Sequence, residues 1–252
     1  MVVLALLAMV VVALPLAGLL WRTPWSDLGV LLTSEVVVDA LRLSLITSLA
    51  ATGLSLIFGV PLAWLLARVD FPGRSIVRGL VLLPLILPPV VGGAALLFAL
   101  GRRGLLGEPL YEASGLVLPF STGGAVLAAT FVAMPFLVIT VEGALRNLDE
   151  RYEGAAASLG AGTWTVLRRV TLPMITPSIL AGLALTWARA FGEFGATITF
   201  AGNLPGRTQT LPLAVFVALE SNRDVAVAIS LLMVGVSLAV LIALRERWWR
   251  FS

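Results

Sequence analysis

Six stretches of this chain run without a charged residue for at least 19 positions each: Met1–Trp21, Leu43–Ala67, Gly79–Gly101, Ala113–Val141, Val170–Ala188 and Val225–Leu244. About 20 apolar residues, rising 1.5 Å each in a helix, cross a hydrocarbon core of roughly 30 Å. A protein of this size has too little interior to bury so many such runs away from water. Hydrophobic residues are 59% of the chain and charged residues 12%, against about 45–50% and about 25% in soluble domains. The chain therefore reads as an all-α membrane protein, a single transmembrane domain over 1–252 with six spans at about 2–21, 43–67, 79–101, 123–141, 174–200 and 225–244. The fourth is expected to start at the turn-like Ser121-Thr122-Gly123-Gly124. The fifth is expected to continue as one long helix past Arg189 and Glu193 to about Phe200. The first lacks a basic leader and is too long for a signal peptide, so it reads as a membrane helix.

The missing residue types restrict the chemistry. There is no Cys and no His, and all 17 basic residues are Arg, so there is no Lys. Without Cys there is no disulfide and no thiolate metal site. Without His there is no ordinary haem ligation and no Ser–His protease. Without Lys there is no phosphate-binding P-loop and no Schiff base. If the chain takes part in driven transport, the energy comes from an ion gradient or from another subunit. The net charge of +3 reads as loop bias, with no nucleic-acid footprint.

Arginine placement sets the expected orientation. Arg68, Arg74, Arg78, Arg146, Arg151, Arg168, Arg169, Arg245, Arg247 and Arg250 fall on one side. Arg22, Arg42, Arg102, Arg103, Arg207 and Arg223 fall on the other, ten against six. The richer side is expected to be cytoplasmic, with both termini there. In the third run, Pro84, Pro88 and Pro89 remove three backbone donors, so the helix must kink or unwind where protein or a cavity can satisfy the freed carbonyls.

The longest loop on the Arg-rich side spans about 142–173. Leu145, Leu148, Tyr152, Ala155, Ala156 and Leu159 recur at helical steps and suggest one apolar face. Gly160-Ala161-Gly162 breaks that helix. Thr163 is placed to cap a second short helix, which Pro173 is expected to stop. Pattern alone leaves two readings open: a rigid knob gripped by another protein, or an amphipathic segment lying on lipid headgroups.

Within this loop, Glu153-Gly154-Ala155-Ala156-Ala157-Ser158-Leu159-Gly160-Ala161-Gly162 followed by Val170-Thr171-Leu172-Pro173 resembles the EAA loop of ABC-importer permeases. The Gly stands seven residues after the Glu, a spacing similar to that of the oxyanion branch of the family. Trp187-Ala188-Arg189-Ala190-Phe191-Gly192-Glu193-Phe194-Gly195-Ala196-Thr197 is similar to the fifth-span segment of molybdate and sulfate permeases. Pro61 to Arg68, Phe71 to Arg74 and Leu83 to Gly93 extend the likeness, which covers about residues 40–244; the molybdate branch looks closest, with sulfate and tungstate permeases next. The resemblance implies a type I ABC-importer permease fold with a cytoplasmic coupling helix. It implies a passive permease with no enzymatic activity or cofactor of its own, ATP and Mg being bound by cytoplasmic ATPase subunits. The implied partners are a second copy of the chain, those ATPase subunits and an extracytoplasmic oxyanion-binding protein, in the cytoplasmic membrane. It assigns ATPase coupling to Glu153, Ala155, Ala156, Gly160, Leu172 and Pro173.

Candidate pathway positions come from polar faces inside spans. Ser44, Thr47, Ser48, Thr52 and Ser55 fall within about 140° at 100° per residue. Hydroxyls there suit passage of an oxyanion, and they equally suit helix packing. Gly182, Thr186, Arg189, Glu193 and Thr197 would share a face of a continuous fifth helix. Charges inside a span are costly unless paired or hydrated, so Arg189 and Glu193 read either as a gate or as a structural ion pair. Pro88 and Pro89 join the candidate pathway. Two further classes are open to such a chain. A secondary transporter usually shows an internal repeat, and none is visible. An intramembrane enzyme would have almost no catalytic side chains to use here.

Overall fold

The computed structural model describes residues 1–248, all of whose regular elements are helices. In chain order they are α1 (Val2–Arg22), α2 (Leu28–Leu32), α3 (Glu35–Arg68), α4 (Arg74–Ile86), α5 (Pro89–Leu100), α6 (Gly107–Ser114), α7 (Thr122–Asn147), α8 (Glu150–Ser158), α9 (Thr163–Val166), α10 (Leu172–Phe191), α11 (Gly195–Phe200), α12 (Leu211–Ser221) and α13 (Arg223–Trp248), with a π turn at Leu167–Thr171 between α9 and α10. Arg250, counted above with the Arg-rich side, lies outside the described residues.

At the centre, α3, α7 and α10 pack on one another. Lipid offers no hydrophobic drive between helices, so close backbone approach through small residues has to hold them. The residues at the crossing fit that need: Ala51, Ala129, Ala133 and Ala190 form one buried cluster. A Cβ on Gly182 would stand 2.8 Å from Leu137 Cδ1. Two larger clusters close the ends. Val37, Ala40, Trp187, Phe191, Leu211 and Ile229 pack at the start of α3. Ala63, Leu66, Leu137, Val141, Leu145 and Ile175 pack at its end. By contrast α1 buries none of its residues, as suits a helix surrounded by lipid.

Five helical stretches are long and apolar enough to cross a membrane. The third expected span is different: it is two helices. Pro84 is buried within α4, which stops at Ile86; Leu87 and Pro88 are extended, with ψ of 136° and 131°, and α5 restarts at Pro89. Residues before proline are pushed out of the helical region, and Pro at the first helical position is favoured.

The expected long fifth helix is corrected at both ends. It does not begin after a stop at Pro173. Helix runs from Thr163 through the π turn straight into α10, with Pro173 in the first turn of α10. The Leu172 N–H reaches back to the Leu167 carbonyl, and this wider ladder accommodates a stretch where Pro173 and Pro177 offer no donor. Gly162, not Thr163, is the N-cap of α9. At the far end α10 stops at Phe191, and a separate α11 follows after Gly192-Glu193-Phe194. Another helix was not anticipated: α12, with Pro212 in its first turn, too short at 11 residues to span the core.

Candidate functional site

The loop between α7 and α10 folds as two short helices, α8 and α9, around a glycine turn. Its expected single apolar face from Leu145 to Leu159 is corrected: α7 ends at Asn147, and Leu145 is buried in the bundle. Leu148 is extended, and Asp149 starts a new helix, its Oδ1 accepting the Arg151 N–H at 2.9 Å. An acidic N-cap that removes an orphan donor and faces the positive helix end is worth about 1 kcal/mol. The far end of α8 closes in a Schellman turn: the Gly160 N–H donates to Ala157 O at 2.9 Å and the Ala161 N–H to Ala156 O at 3.1 Å. Gly160 has φ +85°, and nothing lies within 4 Å of the Cβ position it lacks. Its Gly is therefore required by backbone conformation alone. Around the turn Leu159 is 90% exposed and Trp164 70% exposed, and Tyr152 and Ala155 are also exposed. Apolar side chains presented together on a rigid turn mark an interaction surface.

Glu153 stands on the other side of α8, facing the bundle. It accepts a hydrogen bond from Thr171 Oγ1 at 2.6 Å and pairs with Arg68 Nη2 at 3.4 Å. Arg68 also holds Glu150 at 2.9 Å. One short helix is thus tied to the last residue of α3 and to the π turn that leads into α10. Neighbouring arginines complete the plate. Arg74 Nε donates to Leu66 O at 2.8 Å, placing a cation where α3 leaves its last carbonyls. Arg78 and Arg146 both bind the buried Glu142 carboxylate. Sequence reading used Arg68, Arg74 and Arg78 as orientation signals, and Arg68 and Arg74 in the family likeness, and assigned none of them an ion-pair partner. A buried Glu142 one residue past an apolar run was the available hint, because a carboxylate there needs a partner. Leu172 and Pro173 lie just after this plate, Leu172 half-buried and Pro173 exposed.

In the half of the bundle away from the plate, the breaks of two spans meet. A Cβ on Gly93 of α5 would fall 2.7 Å from Ala196 O, and one on Gly195 would fall 2.8 Å from Pro89 Cβ. The Pro88-Pro89 break and the Glu193–Gly195 break therefore pack as one unit. Glu193, 2% exposed, is held from two directions: its Oε1 accepts the Ala196 N–H at 2.7 Å and its Oε2 lies 2.7 Å from Arg189 Nη1. That N–H bond is what α11 gains from the break, since its first donors would otherwise be orphaned. The expected continuous face of Gly182, Thr186, Arg189, Glu193 and Thr197 is consequently divided between two helices. Thr186 and Thr197 are both buried.

The hydroxyls of α3 are turned inward. Ser48, Thr52 and Ser55 donate to the Leu45, Ser48 and Ala51 carbonyls of their own helix. Ser44 Oγ accepts the Leu211 N–H at 2.7 Å and so anchors the start of α12. Ser48 is buried and Thr52 half-buried. Among the described residues there is no cluster of side chains with the makings of a metal site.

Comparison with known proteins follows from this geometry. A family described as "Binding-protein-dependent transport system inner membrane component" matches residues 59–250. Over 245 residues the chain is 47% identical to the molybdenum transport system permease protein ModB of Mycobacterium tuberculosis, covering 96% of this chain and 92% of that protein. It is 36% identical over 213 residues to a probable sulfate transport system permease protein, cysT, of Marchantia polymorpha, covering 83% and 74%. Among solved structures, a bacterial ABC transporter involved in the import of the acidic polysaccharide alginate superposes with a TM-score of 0.77 at 20% identity, over 100% of this chain and 96% of that one.

Proposed function

This chain belongs to the family of binding-protein-dependent transport system inner membrane components, and on that premise we propose that two copies form the membrane pathway of an ATP-driven molybdate importer. The fold is that of a type I ABC-importer permease. The observation that carries the reading is the Asp149–Thr171 protrusion: a capped helix with an exposed apolar turn, tied by Glu153 to two bundle helices. The higher identity to the molybdenum permease than to the sulfate permease supports molybdate as the cargo.

In this reading the Gly160 turn seats in a cleft of a cytoplasmic ATPase subunit, which binds ATP and Mg. The clustering of Arg68, Arg74, Arg78 and Arg146 beside the protrusion supports a cytoplasmic position for that end, with both termini on the same side. Closure of the ATPase pair draws the two protrusions together. The Glu153–Arg68 and Glu153–Thr171 contacts pass the displacement to α3 and α10. The spans then rock towards an outward-facing state, in which an extracytoplasmic binding protein delivers the anion. Hydrolysis and release reverse the motion. The chain works as a lever and a conduit, and the partner supplies the energy.

Reconstitution with the cognate ATPase and binding protein tests this. Labelled molybdate should enter vesicles only with ATP. Tungstate, of like shape and charge, should compete, and a tenfold excess of sulfate should not. Accumulation by the chain alone would make it a secondary transporter, and preferential uptake of sulfate would reassign the cargo. Gly160→Val in the same assay should lower uptake at least about tenfold while the ATPase keeps turning over, because a β-branched residue at φ +85° costs on the order of 1–3 kcal/mol and dismantles the turn. Gly160→Asn, which tolerates that conformation, should keep most of the uptake. Normal uptake with Gly160→Val would remove the docking role.

A further inference from the structure

We propose that Arg189 is the anion-contacting group of the pathway and that Glu193 is its resident counter-ion, exchanged for the tetrahedral oxyanion when the pathway opens. The inference rests on the oxyanion-importer reading. Its starting point is the incomplete pairing of Arg189. A guanidinium has five N–H donors. Among the described residues its close partner is Glu193 Oε2, 2.7 Å from Nη1 as an ion pair without hydrogen-bond geometry. The carboxylate is 2% exposed, whereas the guanidinium side chain remains 28% exposed.

Arg189 is partly exposed in the outer half of the span. It lies 17 residues beyond Leu172, about 25 Å along the helix from the coupling end. A charged group at such depth faces a protein contact or a hydrated cavity. The neighbouring exposed positions are Ala188, next to it in sequence, and Leu185 and Gly192, about one turn away on either side. Ala188 and Gly192 leave room beside the guanidinium for a ligand. A planar fork with unused donors suits an oxyanion, which can accept two parallel hydrogen bonds from it.

The counter-ion accounts for release. A lone buried guanidinium would hold a divalent anion too tightly for conduction, whereas a pair of zero net charge binds only transiently. Glu193 is also positioned to move. Its second oxygen is fixed to the Ala196 N–H of α11, and α11 packs without clearance on α5 through Gly93 and Gly195. Displacement of the α5–α11 unit therefore withdraws the carboxylate from Arg189 and exposes the fork. Its return expels the anion by competition for the same donors.

The test uses the assembled permease–ATPase complex and labelled molybdate in equilibrium dialysis without nucleotide, at fixed chloride. Glu193→Gln keeps an acceptor for the Ala196 N–H and removes only the charge. It should retain molybdate at free concentrations at least about tenfold below wild type, in line with coupling energies of close charge pairs. Uptake turnover should fall in parallel. Arg189→Gln, and the double variant Arg189→Gln with Glu193→Gln, should lose that retention. An intact Glu193→Gln complex that retains no more than wild type, or a double variant that retains as much as Glu193→Gln alone, overturns the proposal. Failure of the wild-type complex to import molybdate at all would instead overturn the oxyanion reading on which it rests.

Discussion

Glu153→Ala is expected to cut ATP-driven uptake by at least about tenfold while leaving the ATPase bound to the permease. The prediction follows from the direction in which Glu153 points. In the proposed reading the exposed turn at Leu159, Gly160 and Trp164 is the docking surface; Glu153 faces inward, on Thr171 and Arg68. Alanine leaves the knob and removes its ties. Hydrogen bonds to a charged partner contribute about 1.5–3 kcal/mol each, enough to shift a mechanical coupling by an order of magnitude. It also strands Arg68, which keeps only the exposed Glu150. Glu153→Gln, able to accept from Thr171 but not to pair with Arg68, should fall between alanine and wild type. Thr171→Val should reproduce part of the defect without touching any exposed surface. In a double-mutant cycle Glu153→Ala and Thr171→Val should be less than additive, as expected of residues in one contact. Loss of ATPase binding in Glu153→Ala, measured by co-purification, would show the carboxylate to be a docking group and refute its role as a tie.

The helix, glycine turn and second helix of the protrusion were legible from residue spacing, its reading as a coupling element came from the resemblance to the EAA loop, and the places where reading stopped have physical causes. Charge-free length locates helices well, because lipid leaves few alternatives for a backbone. It is blind to breaks that are compensated locally. Apolar residues resume on either side of Arg189 and Glu193 as far as Phe200, which suggested one helix through Gly192-Glu193-Phe194. The break is stabilised by a carboxylate that caps the helix after it, and only Gly192 and Gly195 flanking Glu193 hint at this. At Pro173 the opposite happened: a proline that should end a helix sits inside one, because the π turn before it absorbs the missing donor. The short α12 was invisible to a span search. Its local signal was Thr210 followed by Leu211-Pro212, a capping residue with proline in the first turn. The α3 hydroxyls were ambiguous for a different reason. A Ser or Thr stripe looks the same whether it lines water or packs against a neighbouring helix, and only the third dimension places Ser44 on the Leu211 N–H. The ion pairs that Arg68 and Arg78 make across the plate were missed because their partners are 64 to 85 residues apart, beyond any local pattern.

Gly93→Ala is the substitution by which the meeting of the two breaks can be judged. A single methyl there would stand 2.7 Å from Ala196 O and 3.0 Å from Ala196 Cα. Both are backbone atoms, so no rotamer change relieves the overlap, and α5 and α11 must separate. Overpacking of this kind costs typically about 1–3 kcal/mol, equivalent to a drop of roughly 2–12 °C in the melting temperature of the detergent-solubilised chain. Gly195→Ala, directed at Pro89 Cβ from the opposite partner, should produce a similar drop. Gly79→Ala is the control: it lies on α4 with nothing within 4 Å, and alanine there should be neutral or slightly stabilising. Uptake sharpens the comparison. If the α5–α11 unit carries Glu193 in this way, Gly93→Ala should also retain molybdate more tightly and slow its uptake, as Glu193→Gln does, because separation of α11 from α5 displaces the carboxylate from Arg189. A destabilised variant with wild-type retention and uptake would mean that the crossing only holds the bundle together. A variant with wild-type melting and transport would mean that these helices do not approach as closely as their glycines allow.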